Sequence, residues 1–168
     1  MNHKRLWAPW RSAYVTAIGQ KKAGCVFCRI HKERNDKKNL IFKRSQHCFA
    51  VLNIFPYNNG HAMVIPYRHA KDLKYLTKPE KQDILELLEE VKDLLDKVLK
   101  PQGYNIGINI GRLAGAGFPG HFHIHIVPRW KGDANFMPVT ANTKVISQSM
   151  AVVFQELCRE NQRRDRKS

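Results

Sequence analysis

Three histidines alternate along His121-Phe122-His123-Ile124-His125-Ile126-Val127. Successive side chains of a β-strand face opposite sides. The spacing therefore predicts His121, His123 and His125 on one face, roughly 7 Å from one to the next, with Phe122, Ile124 and Ile126 turned into a core. Such a row suits a metal cluster. It also suits nucleophilic attack on phosphorus, because neutral imidazole is a competent nucleophile near neutral pH. The preceding segment, Asn109-Ile-Gly111-Arg112-Leu-Ala-Gly115-Ala-Gly117-Phe-Pro-Gly120, favours the second chemistry. Small residues let main-chain N–H groups approach an anion closely, and Arg112 can add a charge-assisted contact to phosphate or serve as a surface cation. Cys25-Val-Phe-Cys28 is a C-x-x-C pair, either redox-active or half of a metal site. Cys48 and Cys158 lie in apolar stretches and read as ordinary buried thiols.

The elements that must position these groups are legible in outline. Leu40–Lys43 and His47–Ile54 read as strands, with Pro56-Tyr57-Asn58-Asn59-Gly60 as a loop of turn formers and His61–Pro66 as a third strand. Tyr104–Ile110 and His121–Pro128 read as the fourth and fifth. Residues 31–39 are polar and read as a surface loop. Thr77 to Lys100 carries apolar residues at helical spacing, with Thr77 and Glu80 forming a capping box and Pro101 and Gly103 stopping the run. Val145 to Leu157 reads as a second helix. Strands, a long helix and more strands, without βαβ alternation, predict an α+β fold with an antiparallel sheet.

The chain has 168 residues, 43% of them hydrophobic, which suits one domain with a real core and excludes wholesale disorder. No apolar run is long enough to span a membrane, and the N-terminus carries no continuous apolar signal. A cytoplasmic location is therefore expected, with reduced thiols rather than a disulfide framework. The net charge of +15 is uneven: residues 1–44 carry 12 Lys/Arg against Glu33 and Asp36, while residues 45–158 carry 12 against 10. That excess suits an anionic partner such as a nucleotide polyphosphate, or a solvated surface. No nucleic-acid module accompanies it.

The segment HFHIHIV resembles the motif of the histidine triad (HIT) superfamily. A second block, Asn53-Ile-Phe-Pro56-x-x-x-Gly60-His61-x-Met-Val-Ile-Pro66-x-x-His69, resembles that family's upstream strand–loop–strand. With Cys25-x-x-Cys28, the resemblance covers roughly residues 25–130. The Trp7-Ala-Pro-Trp10-Arg11 arm and Pro128-Arg-Trp130-x-Gly-Asp133-x-Asn-Phe136-Met137-Pro138 are similar to the bacterial diadenosine tetraphosphate phosphorylase-like branch. The resemblance implies a five-stranded antiparallel sheet with a long helix and a C-terminal helix, commonly paired into a homodimer. It divides the chain into an arm (1–24), a HIT domain (25–140) and a C-terminal helix with a basic tail (141–168).

For individual residues, it implies that His123 attacks the α-phosphate and carries a covalent nucleotide. His125 then stabilises the phosphate oxygens, and His61 positions phosphate and nucleophile. Asn53 would bind ribose, Ile54 the base, and Asn109 and Gly117 the phosphate region. Cys25, Cys28, His69 and His121 would hold a structural zinc; two thiolates and two imidazoles form a closed tetrahedral set. The sequence departs from much of the family where Gln and Ser or Thr precede the triad: Gly117 and Phe118 stand there, followed by Pro119. No side-chain proton donor is available at that place, which fits a polyphosphate leaving group of low pKa better than a phosphoramidate. The expected reaction is cleavage of a dinucleoside polyphosphate, with inorganic phosphate or water as acceptor. The alternatives are a nucleoside phosphoramidate hydrolase and a nucleotide- or nucleic-acid-binding protein.

Overall fold

A computed structural model describes residues 24–133 and 145–166. The Trp7–Arg11 arm and the Phe136–Pro138 stretch lie outside them. The described elements are helices α1 (Val26–Glu33) and α2 (Asp36–Asn39), strands β1 (Ile41–Arg44), β2 (Cys48–Leu52) and β3 (Ala62–Pro66), helix α3 (Lys78–Leu99), strands β4 (Gly103–Gly107) and β5 (Ile124–Arg129), and helix α4 (Met150–Asp165). The five strands form one antiparallel sheet in the order β1-β2-β3-β5-β4. This is the expected α+β architecture.

Alternation along the strands builds two cores. Ala50 and Leu52 of β2, Ala62 and Val64 of β3, and Ile124 and Ile126 of β5 meet α3 and α4 through Ile84, Leu87, Val91, Leu94, Leu95, Val153, Phe154 and Leu157. Phe49, Val51, Met63 and Ile65 face the other way, onto Phe27 and Ile30 of α1. Each fully buried aliphatic side chain contributes about 1.5–3 kcal/mol, so α3 is the main anchor of the sheet. Its capping box is present, with Thr77 and Glu80 exchanging side-chain and backbone bonds. From its first turns Asp83 reaches the β1–β2 turn, accepting from the Ser45 hydroxyl and the His47 N–H.

The structure corrects several boundaries. Residues 31–39 are not a loop: they finish α1 and form α2. Phe27 and Ile30 span less than one helical turn, too short a repeat to read by eye. β5 begins at Ile124 rather than His121, because the His121 N–H bonds to Phe118 O and the Phe122 N–H to Ala70 O, outside the ladder. β4 accordingly stops at Gly107, opposite His125. β2 ends at Leu52, since Asn53 turns its carboxamide oxygen onto the Phe55 N–H. α4 starts at Met150, capped by Ser149, and runs past Leu157 to Asp165. Among the described residues, no helix is long and apolar enough to cross a membrane.

Candidate active site and candidate metal centre

The face of the sheet that carries α1 also carries the histidines. His125 pairs in register with Met63 on β3 and so shares its face. His123 sits just before the strand, its ring 4.8 Å from that of His125. This is closer than the 7 Å backbone repeat, because the two rings lean together. His61 enters from the loop before β3. That loop needs Gly60, with φ +70 and a built Cβ that would collide with Leu99.

Hydrogen bonds assign the protons. His123 Nδ1 lies 2.8 Å from His121 O. A carbonyl only accepts, so the proton is on Nδ1 and the lone pair on Nε2. His61 Nδ1 accepts from the Tyr57 N–H at 3.0 Å, which places the His61 proton on Nε2. That Nε2 faces His125 Nδ1 at 3.0 Å and donates to it. His125 therefore keeps its own proton on Nε2, as a donor directed away from His61. The Asn53 carboxamide lies 3.4 Å from His61 Nδ1. Burial pushes the His61 pKa down to about 3, with His125 and His123 adding like-charge repulsion. Burial also lowers that of His123, against the opposing pull of the His121 carbonyl. Both rings are neutral at neutral pH.

A second cluster adjoins the first. Cys25, Cys28, His69 and His121 each present one ligand atom, all within 4.8 Å of one another. His121 Nδ1 lies 3.2 Å from Cys25 Sγ, 3.6 Å from Cys28 Sγ and 3.3 Å from His69 Nδ1. A tetrahedral ion with bonds of about 2.0–2.3 Å spaces its ligands about 3.3–3.8 Å apart, so the set fits zinc. His121 Nε2 donates to Pro66 O at 2.9 Å, which leaves the Nδ1 lone pair free to bind metal.

The structure thus brings together His61, His123, His125 and Asn53, and separately the four Cys/His residues. The other expected residues flank them. Ile54 is 59% exposed on the bend after Asn53. Asn109 lies two residues past Gly107, so its loop leaves the sheet beside His125. Gly117 adjoins Phe118, whose ring packs edge-on against Phe27 at 5.3 Å. A cavity of about 420 Å³ lined by Asn59, Val98, Leu99, Trp130, Ser147 and Gln148 touches none of the histidines.

Two aromatic side chains complete the site unannounced by the sequence. The Phe27 ring lies 5.1 Å from His123 and 5.4 Å from His121. That of Tyr57 lies 4.6 Å from His61 and 5.9 Å from His125. Their only signal was adjacency: Phe27 sits inside the C-x-x-C, Tyr57 among turn formers.

Residues 33–132 match the HIT domain family. The chain is 36% identical over 152 residues to a protein of Mycobacterium tuberculosis named AP-4-A phosphorylase, covering 86% of this chain and 77% of that one. It is 36% identical over 105 residues to adenosine 5'-monophosphoramidase hnt1 of Schizosaccharomyces pombe, covering 62% and 74%. Among solved structures, a Zn-bound histidine triad family protein from Mycobacterium smegmatis superposes with a TM-score of 0.69 at 23% identity, covering 86% of this chain and 98% of that one.

Proposed function

This chain belongs to the HIT domain family, and we propose that it cleaves dinucleoside polyphosphates, diadenosine tetraphosphate foremost, through a nucleotide carried on His123. The observation that carries this reading is the proton assignment: a buried, neutral imidazole whose Nδ1–H is fixed by the His121 carbonyl and whose Nε2 lone pair is free. Nε2 of His123 attacks the α-phosphorus, the N–P bond forms, and the P–O bond to the polyphosphate breaks. From diadenosine tetraphosphate the leaving group is ATP. Inorganic phosphate then takes the adenylyl group from His123, giving ADP and restoring the imidazole.

His125 Nε2–H donates to the phosphate oxygens as charge develops. His61 holds that donor in place, Asn53 binds ribose, Ile54 contacts the base, and Asn109 with the main chain at Gly117 lines the phosphate path. Phe118 offers no proton to the leaving group, which favours a polyphosphate over a phosphoramidate. The identity to the AP-4-A phosphorylase over most of both chains supports phosphate as acceptor.

Cys25, Cys28, His69 and His121 would hold a structural zinc, which would supply rigidity to the segment carrying His121. The geometry supports this: the His121 Nδ1 lies 3.2 Å from Cys25 Sγ and 3.6 Å from Cys28 Sγ, within a set whose ligand atoms all lie within 4.8 Å of one another. β4 is a sheet edge, and Ile106, Ile108 and Ile110 on and after it are exposed, which supports pairing with a second copy; sedimentation measures that directly. We place the molecule in the cytoplasm, as one HIT domain over residues 25–140 between an arm and a C-terminal helix.

Product analysis on diadenosine tetraphosphate with and without inorganic phosphate tests the reading. Phosphate-dependent ADP and ATP are expected. Phosphate-independent AMP and ATP identify water as acceptor, and turnover of an adenosine phosphoramidate alone contradicts the substrate assignment.

A further inference from the structure

The loop that carries Tyr57 and His61 is fastened from its far side by groups that the chemistry above does not use. Asn58 is 6% exposed. Its carboxamide N–H groups donate to Pro128 O at 3.0 Å and to Asp133 Oδ2 at 2.8 Å, and its backbone carbonyl accepts the His61 N–H at 3.2 Å. The Asp133 side chain, 7% exposed, is in turn fixed by Arg129 Nε at 2.6 Å, Arg129 Nη2 at 2.8 Å and the Trp130 N–H at 3.1 Å. Arg129 also reaches Asn105 on β4. A nearly buried carboxylate just beyond β5 therefore bolts the 53–61 loop to the same strand that carries His125.

The bolt has a chemical consequence, because the N–H adjacent to Asn58 sets a tautomer. Tyr57 N–H donates to His61 Nδ1 only while this loop keeps its place. Without that donor, and with the longer 3.4 Å contact from Asn53 of the same loop loosened with it, His61 can carry its proton on Nδ1. Its Nε2 then accepts from His125 Nδ1, and His125 Nε2 loses its proton. The group facing the phosphate changes from a donor to a lone pair, which repels an anion. We propose that Asn58 and Asp133 are positioning residues that hold the His61–His125 pair in the proton arrangement nucleotidyl transfer requires. The proposal rests on the reading of His123 and His125 given above.

The test uses the full chain as wild type, Asn58→Ala, Asp133→Ala and Asp133→Asn. Three readouts are taken: kcat and KM on diadenosine tetraphosphate with inorganic phosphate, thermal melting, and imidazole nitrogen NMR, which reports each tautomer directly. In the wild type, His61 and His125 are both expected as Nε2–H tautomers. Asn58→Ala and Asp133→Ala are expected to lower kcat about tenfold to a hundredfold, the scale of small misplacements at a reacting centre. KM should change less than about threefold, and the His61 signal should shift towards Nδ1–H. Asp133→Asn keeps an oxygen for the Asn58 carboxamide and should recover most of kcat. Variants that melt lower yet keep the wild-type kcat and tautomers would overturn the proposal, as would a wild-type His61 protonated on Nδ1, a result that needs no variant to fold. A wild type without turnover counts against the nucleotidyl reading alone, and the NMR pattern then decides this one.

Discussion

His123 and His125 have one residue between them and opposite jobs in the proposed reaction, and what separates the jobs is which nitrogen carries the proton. A carbonyl two residues back holds the His123 proton on Nδ1 and frees Nε2. His61 holds the His125 proton on Nε2 and makes it a donor. His123→Ala should therefore reduce turnover by about 10⁴-fold or more, the scale on which such a constellation loses its function when a member is removed. His125→Ala should lower kcat by about 10²–10³ with a much smaller change in KM, because its bond strengthens as charge develops. Steady-state kinetics of the two variants check both, and an equal rise in KM for His125→Ala would mark it as a ground-state binder instead. The histidines were legible because three at period 2 form a pattern that composition does not supply. Phe27 and Tyr57 were not, because an aromatic residue in a short apolar or turn-forming stretch has no spacing that separates a site wall from a core residue.

The element that positions the site most directly is α1, and it is the one that sequence reading took in part for a loop. Eight residues with two buried side chains give too little periodicity, yet the helix carries Cys28 and Phe27 and is capped at Cys25. By contrast α3 was legible nearly to the residue, since its apolar stripe from Ile84 to Val98 runs through about four turns and its caps are explicit. Its N-terminus also carries a pH dependence. The Arg68 guanidinium, bonded to both Glu80 oxygens at 2.7 and 2.6 Å, holds the Glu80 carboxyl down to about 2, against an ordinary 4.5. A depressed carboxyl stabilises the fold above its unfolded value and loses that contribution as pH falls through the folded one. Melting temperature should thus decline between about pH 4.5 and 2 more steeply in the wild type than in Glu80→Gln. Parallel pH–melting curves for the two proteins would show that this pair adds nothing to stability.

At the scale of the whole molecule, two clusters built by distant parts of the chain share one residue. His121 turns its Nδ1 to the Cys/His set and its carbonyl to His123, the proposed nucleophile. The metal centre would join α1, the segment after β3 and the approach to β5 at one point. Treatment with a strong chelator should lower the melting temperature by about 5 °C or more, and Cys28→Ser should reproduce the loss and bind less zinc by elemental analysis. A melting curve unmoved by chelation would make the four residues a packing cluster. The four-residue cluster was legible only because the resemblance joined Cys25 and Cys28 to two histidines 41 and 93 residues beyond Cys28; spacing alone left a redox pair open. The pairing of Asp133 with Asn58, 75 residues apart, was not legible: each residue stood inside a segment the sequence singled out, but only tertiary folding brings the two loops together.

The most direct test of the central claim is to quench the protein during turnover of diadenosine tetraphosphate and map the adduct by mass spectrometry. An adenylyl group on the peptide containing His123, discharged as ADP when inorganic phosphate is added and absent from His123→Ala, is the expected result. Full turnover by His123→Ala, or an adduct on any other residue, would contradict the account.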